Sequence, residues 1–182
     1  MVNIHKQKLT VLQQNILRLL FVKAMLQLNQ RQIANYLNVT SPAVTKALPY
    51  LEKEEFIKIS KDKDSKRLSI ELNRNNPNVI QLKRVDNLSL IYETKFADYL
   101  EKEFIGGTII LFGSYSRGED NFNSDIDIAI IGRKEKNLDL VKFEKMFERK
   151  INVNFYSSFK EIHNDLKESI LNGILLLGSV EL

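Results

Sequence analysis

The sequence predicts two small domains in tandem: a helical one closed by a β-hairpin, then an α/β (α+β) domain built on a mixed sheet. Three observations carry this. Apolar residues recur at helical spacing three times before residue 54, and two β-rich runs flank a charged stretch just after. An Asn-rich tract, Asn73 to Asn78 with Pro77 inside it, then interrupts the pattern as a linker would. From Thr108 onward, apolar strands alternate with helical segments.

Taken in order, the first helix is expected over about Thr10–Ala24, with Leu12, Ile16, Leu19 and Leu20 on one face. The second covers about Gln30–Leu37 and buries Ile33, Ala34 and Leu37. After the turn Asn38-Val39-Thr40, Ser41 is the expected N-cap of a third helix with Pro42 in its first position. That helix runs to about Lys53 with Val44, Leu48 and Leu51 inward. It carries Pro49 internally, which predicts a kink, and Glu55 stands where a glycine exit is usual, which predicts an irregular turn. Phe56–Ser60 and Leu68–Leu72 read as strands, joined by the charged tip Lys61 to Arg67.

Beyond the linker, Val79 to about Phe104 reads as one helix through Val85, Leu88, Ile91, Phe96 and Leu100, stopped by Gly106-Gly107. Strands are expected at Thr108–Phe112, Asp125–Ile131 and Ile151–Tyr156, with a short helical start at Ser114–Arg117 and a helix over about Leu138–Arg149. A last helix is expected from Ser158, with a capping box to Glu161, ending near Asn172-Gly173 ahead of a small strand, Ile174–Leu177. The expected bounds are residues 1–73 for the first domain, 74–105 for linker and connecting helix, and 106–182 for the second.

Composition narrows the functional classes. The 182 residues are 43% hydrophobic, ordinary for a globular chain and too apolar for a disordered one. No apolar run approaches the roughly 20 residues that cross a bilayer, and the polar start Met1–Lys8 predicts no secretory signal. The chain has no cysteine, which excludes disulfides and thiolate zinc sites and fits a cytoplasmic protein. Its two histidines, His5 and His163, are too far apart in sequence to suggest a histidine metal site or triad. Charge is sorted along the chain: residues 1–84 hold 15 Lys/Arg against 6 Asp/Glu, and residues 85–182 hold 12 against 17. The first part suits a polyanion, the second suits cations.

The chemistry-bearing segment is Phe112-Gly113-Ser114, followed after a ten-residue polar connection by Asp125-Ile126-Asp127-Ile128. In a strand, Asp125 and Asp127 point to one face. Side by side the carboxylates repel unless a cation lies between them, and a hard divalent ion such as Mg²⁺ takes oxygen ligands. Gly113-Ser114 ends one strand and opens a helix, where backbone N–H groups can meet a phosphate. Either motif alone is commonplace, since Asp-x-Asp decorates many solvated strands and Gly-Ser makes many turns. Their joint placement at strand ends describes metal-bridged phosphoryl chemistry. A Walker loop is absent, and an EF-hand counted from Asp125 would need a glycine where Ile130 stands.

On these residues the segment resembles the DNA polymerase beta-like nucleotidyltransferase superfamily, especially its minimal members, over about residues 108–178. The Ser116-Arg117-Gly118-Glu119 run and the Ser124-Asp125 pair add to the likeness. The resemblance implies that Gly113, Ser114, Arg117 and Ser124 bind a nucleoside triphosphate, and that Asp125 and Asp127 are catalytic and hold Mg²⁺ (or Mn²⁺). The implied reaction moves NMP from NTP to a protein or nucleic-acid hydroxyl. One departure stands out: active members carry a third carboxylate on the next strand, where this chain has Asn152 and Asn154. Losing a general base costs about 10²–10⁴-fold in rate. Glu119 or Asp120 could substitute, or the domain could bind nucleotide with little catalysis.

Three helices and a hairpin are the layout of a winged helix, and Gln30–Lys53 resembles the helix-turn-helix of winged regulators. That likeness implies that Ser41, Ala43, Thr45, Lys46 and Tyr50 face a DNA groove, while Lys63, Lys66 and Arg67 of the wing reach phosphates. The alternative is a winged scaffold used for dimerisation or partner binding. Regulators of this layout are commonly dimers, so a homodimer is among the expected states. For the whole chain the readings are a transferase located by its winged helix, a DNA-binding regulator that senses nucleotide, and an antitoxin-like partner of a helical toxin, as minimal members often are.

Overall fold

The computed structural model describes residues 9–61 and 68–181. The chain forms two compact units, Met1–Val79 and Ile80–Leu182. Among the described residues, no helix is long and apolar enough to cross a membrane.

The first unit contains α1 (Val11–Val22), α2 (Gln30–Leu37) and α3 (Ser41–Lys53), then β1 (Ile57–Lys61) and β2 (Leu68–Leu72). Two reciprocal caps fix where α1 and α2 begin. Thr10 Oγ1 accepts the Gln13 N–H at 3.3 Å while the Gln13 side chain accepts the Thr10 N–H at 2.9 Å. Asn29 and Gln32 repeat the arrangement at 2.9 and 2.8 Å. The buried face of α1 is Ile16, Leu17, Leu20 and Phe21; Leu12 and Leu19 are only partly covered, so the helix is rotated from the expected stripe. In α2, Leu37 is likewise only partly buried. These helices enclose a core with Val44, Leu48, Leu51, Ile57 and Ile70, each nearly inaccessible to solvent.

Thr40 rather than Ser41 caps α3, accepting the Ala43 N–H at 3.4 Å, because Thr40 is still extended and Ser41 is already helical. Pro49 lies inside α3 without ending it. Glu55 takes the left-handed conformation (φ 56°) that a glycine usually supplies at such an exit. Its carbonyl accepts hydrogen bonds from Asn73 Nδ2 (2.8 Å) and Asn76 Nδ2 (3.2 Å), so the Asn-rich tract is a tied turn. The hairpin is antiparallel, with Ile57 opposite Leu72 and Lys61 opposite Leu68. Leu28 adds a single bridge, exchanging backbone hydrogen bonds with Ile70 at 2.9 and 2.7 Å. The wing residues Lys63, Lys66 and Arg67 lie outside the described residues.

The expected single helix over Val79–Phe104 is two helices, α4 (Pro77–Glu93) and α5 (Phe96–Glu103). Lys95 is left-handed (φ 61°), and Thr94 Oγ1 bonds back to the Leu90 carbonyl at 2.7 Å. The break has a packing reason. Ile91 and Phe96 are both fully buried in one core, yet five residues apart on one continuous helix they would point about 140° apart. Val85, expected inside, is 66% exposed.

The remaining elements are β3 (Thr108–Phe112), α6 (Gly113–Arg117), β4 (Ile126–Ile131), α7 (Val141–Phe147), β5 (Ile151–Tyr156), α8 (Asn164–Leu171) and β6 (Ile174–Leu177). The sheet order is β5-β4-β3-β6, with β4 and β5 parallel and the other pairs antiparallel, the mixed sheet that the sequence predicts. One face packs Ile109, Leu111, Ile126, Ile128 and Ile130 against aromatics, with Phe96 4.9 Å from Phe143 and 5.6 Å from Phe147. The other buries Ile110, Phe112, Ala129 and Ile131 under Phe159, Ile162 and Ile170. Two expectations fail locally. The helix expected to reach Arg149 stops at Phe147, before a left-handed Glu148, and Ser158 makes no side-chain cap but precedes a 3-10 turn, Phe159–Glu161.

Between these elements lies a buried charge cluster. Asp120 is fully buried and accepts from Arg149 Nη2 at 3.1 Å and Asn87 Nδ2 at 2.8 Å, and it pairs with the fully buried Lys83. Removing the acid would leave two cations in the interior. Asp120→Ala is therefore expected to cost about 3–5 kcal/mol, read as a lowered midpoint in urea unfolding, whereas a loss under 1 kcal/mol would show that the cluster is not structural.

Candidate functional site

The sheet register assembles the site. Phe112 pairs with Asp127 across β3 and β4, and Asp127 pairs with Asn152 across β4 and β5. Gly113, Asp127 and Asn152 are thereby brought to one end of one sheet, with Asp125 immediately before β4. The strand starts one residue later than expected, at Ile126, whose N–H is held by the Lys150 carbonyl at 2.8 Å. The two carboxylates converge. Asn152 Nδ2 donates to Asp125 Oδ2 at 3.1 Å and to Asp127 Oδ1 at 3.3 Å, so both acids face a single nitrogen.

Gly113 is fitted against the same group. It has φ +74°, and a Cβ there would sit 2.5 Å from Asp127 Oδ2. Glycine suits both the left-handed conformation and the close approach; any larger residue would strain the backbone and push the Asp127 carboxylate aside. Gly113-Ser114 opens α6, and Phe112, at its cap position, supplies no side-chain bond to the first turn. Ser116 Oγ donates to the Gly113 carbonyl at 2.8 Å, and Gly118 closes the helix in the left-handed region.

Helix α4 buttresses this turn, a role that the sequence reading missed. Asn87 Nδ2 donates to the Tyr115 carbonyl at 2.9 Å and Arg84 Nε to the Ser116 carbonyl at 3.0 Å. A Cβ on Gly118 would meet the Ile80 carbonyl at 2.5 Å, so helix and turn are in close backbone contact. The signal was present: Val79, Lys83, Asn87 and Ile91 follow a four-residue spacing, and all are buried, so polar residues stand on an inward face.

The other expected residues separate. Arg117 Nε pairs with Glu119 at 2.7 Å on the surface, and Ser124 Oγ accepts the Asn121 N–H at 3.0 Å within a turn. Neither Glu119 nor Asp120 stands in for the third carboxylate: the first is held by Arg117, the second buried among Lys83, Asn87 and Arg149. Asn154 shares the Asn152 face, opposite Ala129. Farther along that face, burial raises the Tyr156 phenol above its usual value. A cleft of about 520 Å³ opens between the Phe122–Asp125 loop and α7, with Lys145 and Lys150 on its wall. It shares Ser124 and Asp125 with the site but not Gly113 or Asp127, so the converging carboxylates and not the cleft define the centre.

The donor set fits a hard divalent cation: two carboxylates aimed at one point, with an amide whose oxygen is also a metal ligand. Among the described residues, no group of three or more His, Cys, Asp or Glu side chains is placed to hold a metal. In the first unit, Thr45 and Lys46 are exposed on α3, while Ser41, Ala43 and Tyr50 are half-buried. The Thr45 hydroxyl donates to the Ser41 carbonyl (2.9 Å) and accepts from Gln30 Nε2 (3.1 Å). Pro42 and Pro49, not expected on the outer face, are exposed there.

Compared with known families, residues 93–177 match the nucleotidyltransferase domain and residues 9–69 match the MarR family. The chain joins a MarR-type winged-helix domain to a nucleotidyltransferase domain. Among solved structures, the adhesin competence repressor AdcR of Streptococcus pyogenes is 27% identical, covering 54% of this chain and 70% of its own, with a TM-score of 0.42. ZitR of Lactococcus lactis is 24% identical over 57% of this chain and 68% of its own, at a TM-score of 0.42. The S. aureus MepR–DNA complex matches at 24% identity over 52% and 77%, with a TM-score of 0.39. At these TM-scores the likenesses add nothing to the family matches. Among curated proteins, none matches.

The nucleotidyltransferase match encloses Gly113, Asp125, Asp127 and Asn152, and the MarR match encloses all of α1, α2 and α3. Gly113→Ala is expected to destabilise the nucleotidyltransferase domain by about 1–3 kcal/mol, through left-handed strain and the clash with Asp127. Denaturant unfolding measures this, and an unchanged midpoint would show that the turn can relax away from the carboxylate.

Proposed function

We propose that the nucleotidyltransferase domain binds a nucleoside triphosphate with Mg²⁺ (or Mn²⁺), that the winged helix binds DNA, and that the chain is a nucleotide-responsive DNA-binding protein. The convergence of Asp125 and Asp127 on one point beside the Gly113 turn carries this reading. Gly113 and Ser114 would offer backbone N–H groups to the phosphates, while Asp125 and Asp127 would hold the cation. A divalent ion there supplies charge neutralisation and orientation of phosphate oxygens. Asn152 stands beside Asp127 in the register, and its amide cannot take a proton from an attacking hydroxyl. That chemistry favours binding over turnover.

DNA binding is supported by the MarR-family match and by the cationic excess of residues 1–84. Thr45 and Lys46 are the most exposed of the candidate side chains on α3, with Ser41, Ala43 and Tyr50 half-buried; Lys63, Lys66 and Arg67, between β1 and β2 in the sequence, would add positive charge for phosphates. A second reading, NMP transfer to a protein or nucleic-acid hydroxyl, is favoured by the cleft whose wall includes Asp125, where an acceptor could approach.

Two measurements test the proposal. Calorimetric titration of ATP, GTP, CTP and UTP with Mg²⁺ should show saturable binding of at least one nucleotide, lost in Asp125→Asn and Asp127→Asn; binding indifferent to both substitutions would remove the site. DNA affinity should fall with salt, weaken about tenfold in Lys46→Glu, and change when NTP–Mg²⁺ is added. No DNA affinity at low salt, or none that responds to nucleotide, would end the regulatory reading, and acceptor labelling dependent on Asp125 and Asp127 would favour transfer.

A further inference from the structure

We propose that Asn152 is a placeholder and then a neutral ligand for a single divalent cation, so that the site is built to take metal weakly and reversibly. The inference rests on Asp125 and Asp127 being the cation site. Its own observation is the position of Asn152 Nδ2, which donates to one oxygen of each aspartate, at 3.1 and 3.3 Å. That nitrogen borders the space on which both carboxylates converge, so a cation shared by the two acids would lie next to it.

The side chain is suited to two states. Its NH₂ group carries two hydrogens, one for each acid, and so relieves repulsion between them. Its other terminal atom is a carbonyl oxygen of the kind that ligates hard cations. Rotation about the last side-chain bond exchanges nitrogen for oxygen at nearly the same place, and that torsion is broad and roughly two-fold. Asn152 is exposed, so no core packing opposes the turn. The backbone is fixed meanwhile, because Asn152 is registered against Asp127 in the parallel ladder. In this scheme the cation displaces the N–H groups and gains two charged ligands and one neutral one. A carboxylate at the same position would hold the cation more tightly, but would add a third negative charge whenever the cation left.

The test compares wild type with Asn152→Asp, Asn152→Ala and Asp125→Asn, measuring Mn²⁺ binding by electron paramagnetic resonance and thermal unfolding with and without Mn²⁺. Asn152→Asp should bind Mn²⁺ about ten- to a hundredfold more tightly and unfold at lower temperature without it. Asn152→Ala should bind about tenfold more weakly and also lose stability without Mn²⁺, since neither the N–H groups nor the oxygen remains. If Asn152→Ala binds as tightly as wild type or more so, the asparagine only obstructs the site and the proposal fails. If Asp125→Asn leaves Mn²⁺ binding unchanged, the cation lies elsewhere, and the underlying reading fails instead. Far-UV circular dichroism of each variant establishes that the fold is intact.

Discussion

The buried carboxylate of Asp120 organises the second unit. It gathers Lys83 and Asn87 from α4 and Arg149 from the segment just before β5, three parts of the chain far apart in sequence. A charge with no access to water must be met by opposite charge and hydrogen bonds, or it destabilises the fold. Meeting that demand brings α4 against the turn that carries Gly113, where Arg84 and Asn87 satisfy the Ser116 and Tyr115 carbonyls. The Gly113 turn is thus held from behind by a helix that begins at Pro77, 36 residues earlier in the chain.

The division of labour within the sheet follows from alternation. One face is apolar throughout and packs on Phe96, Phe143 and Phe147. The other is apolar only where Phe159, Ile162 and Ile170 cover it, and turns acidic at Asp127, where the cover ends. A single strand, β4, supplies both the buried and the chemical surface, which ties the position of the acid to the stability of the core.

Much of this was legible in the sequence. The period of two across Asp125 to Ile131 gave the facing acids, and Gly113-Ser114 after an apolar strand gave the turn. What the sequence hid was tertiary. The break at Lys95 is set by burial of both Ile91 and Phe96, although their five-residue spacing was a visible hint. The inward placing of Lys83 and Asn87 was not read, because the partner that draws them in, Asp120, is more than thirty residues away. Thr40 displaced Ser41 as the cap of α3 because either residue type serves, and only the backbone decides between neighbours. Asn152 was visible as a departure from the expected acid, but its bond to both aspartates needed the register of β4 on β5.

The close fit of Gly113 against Asp127 has a consequence beyond sterics. A carboxylate that lies close over a glycine turn and is bonded to an amide has part of its rotamer freedom already restricted. That part of its ordering entropy is settled when the domain folds, not when a ligand arrives, so association is spared that penalty. Such preorganisation serves a receptor as well as a catalyst, and the glycine can be kept in either.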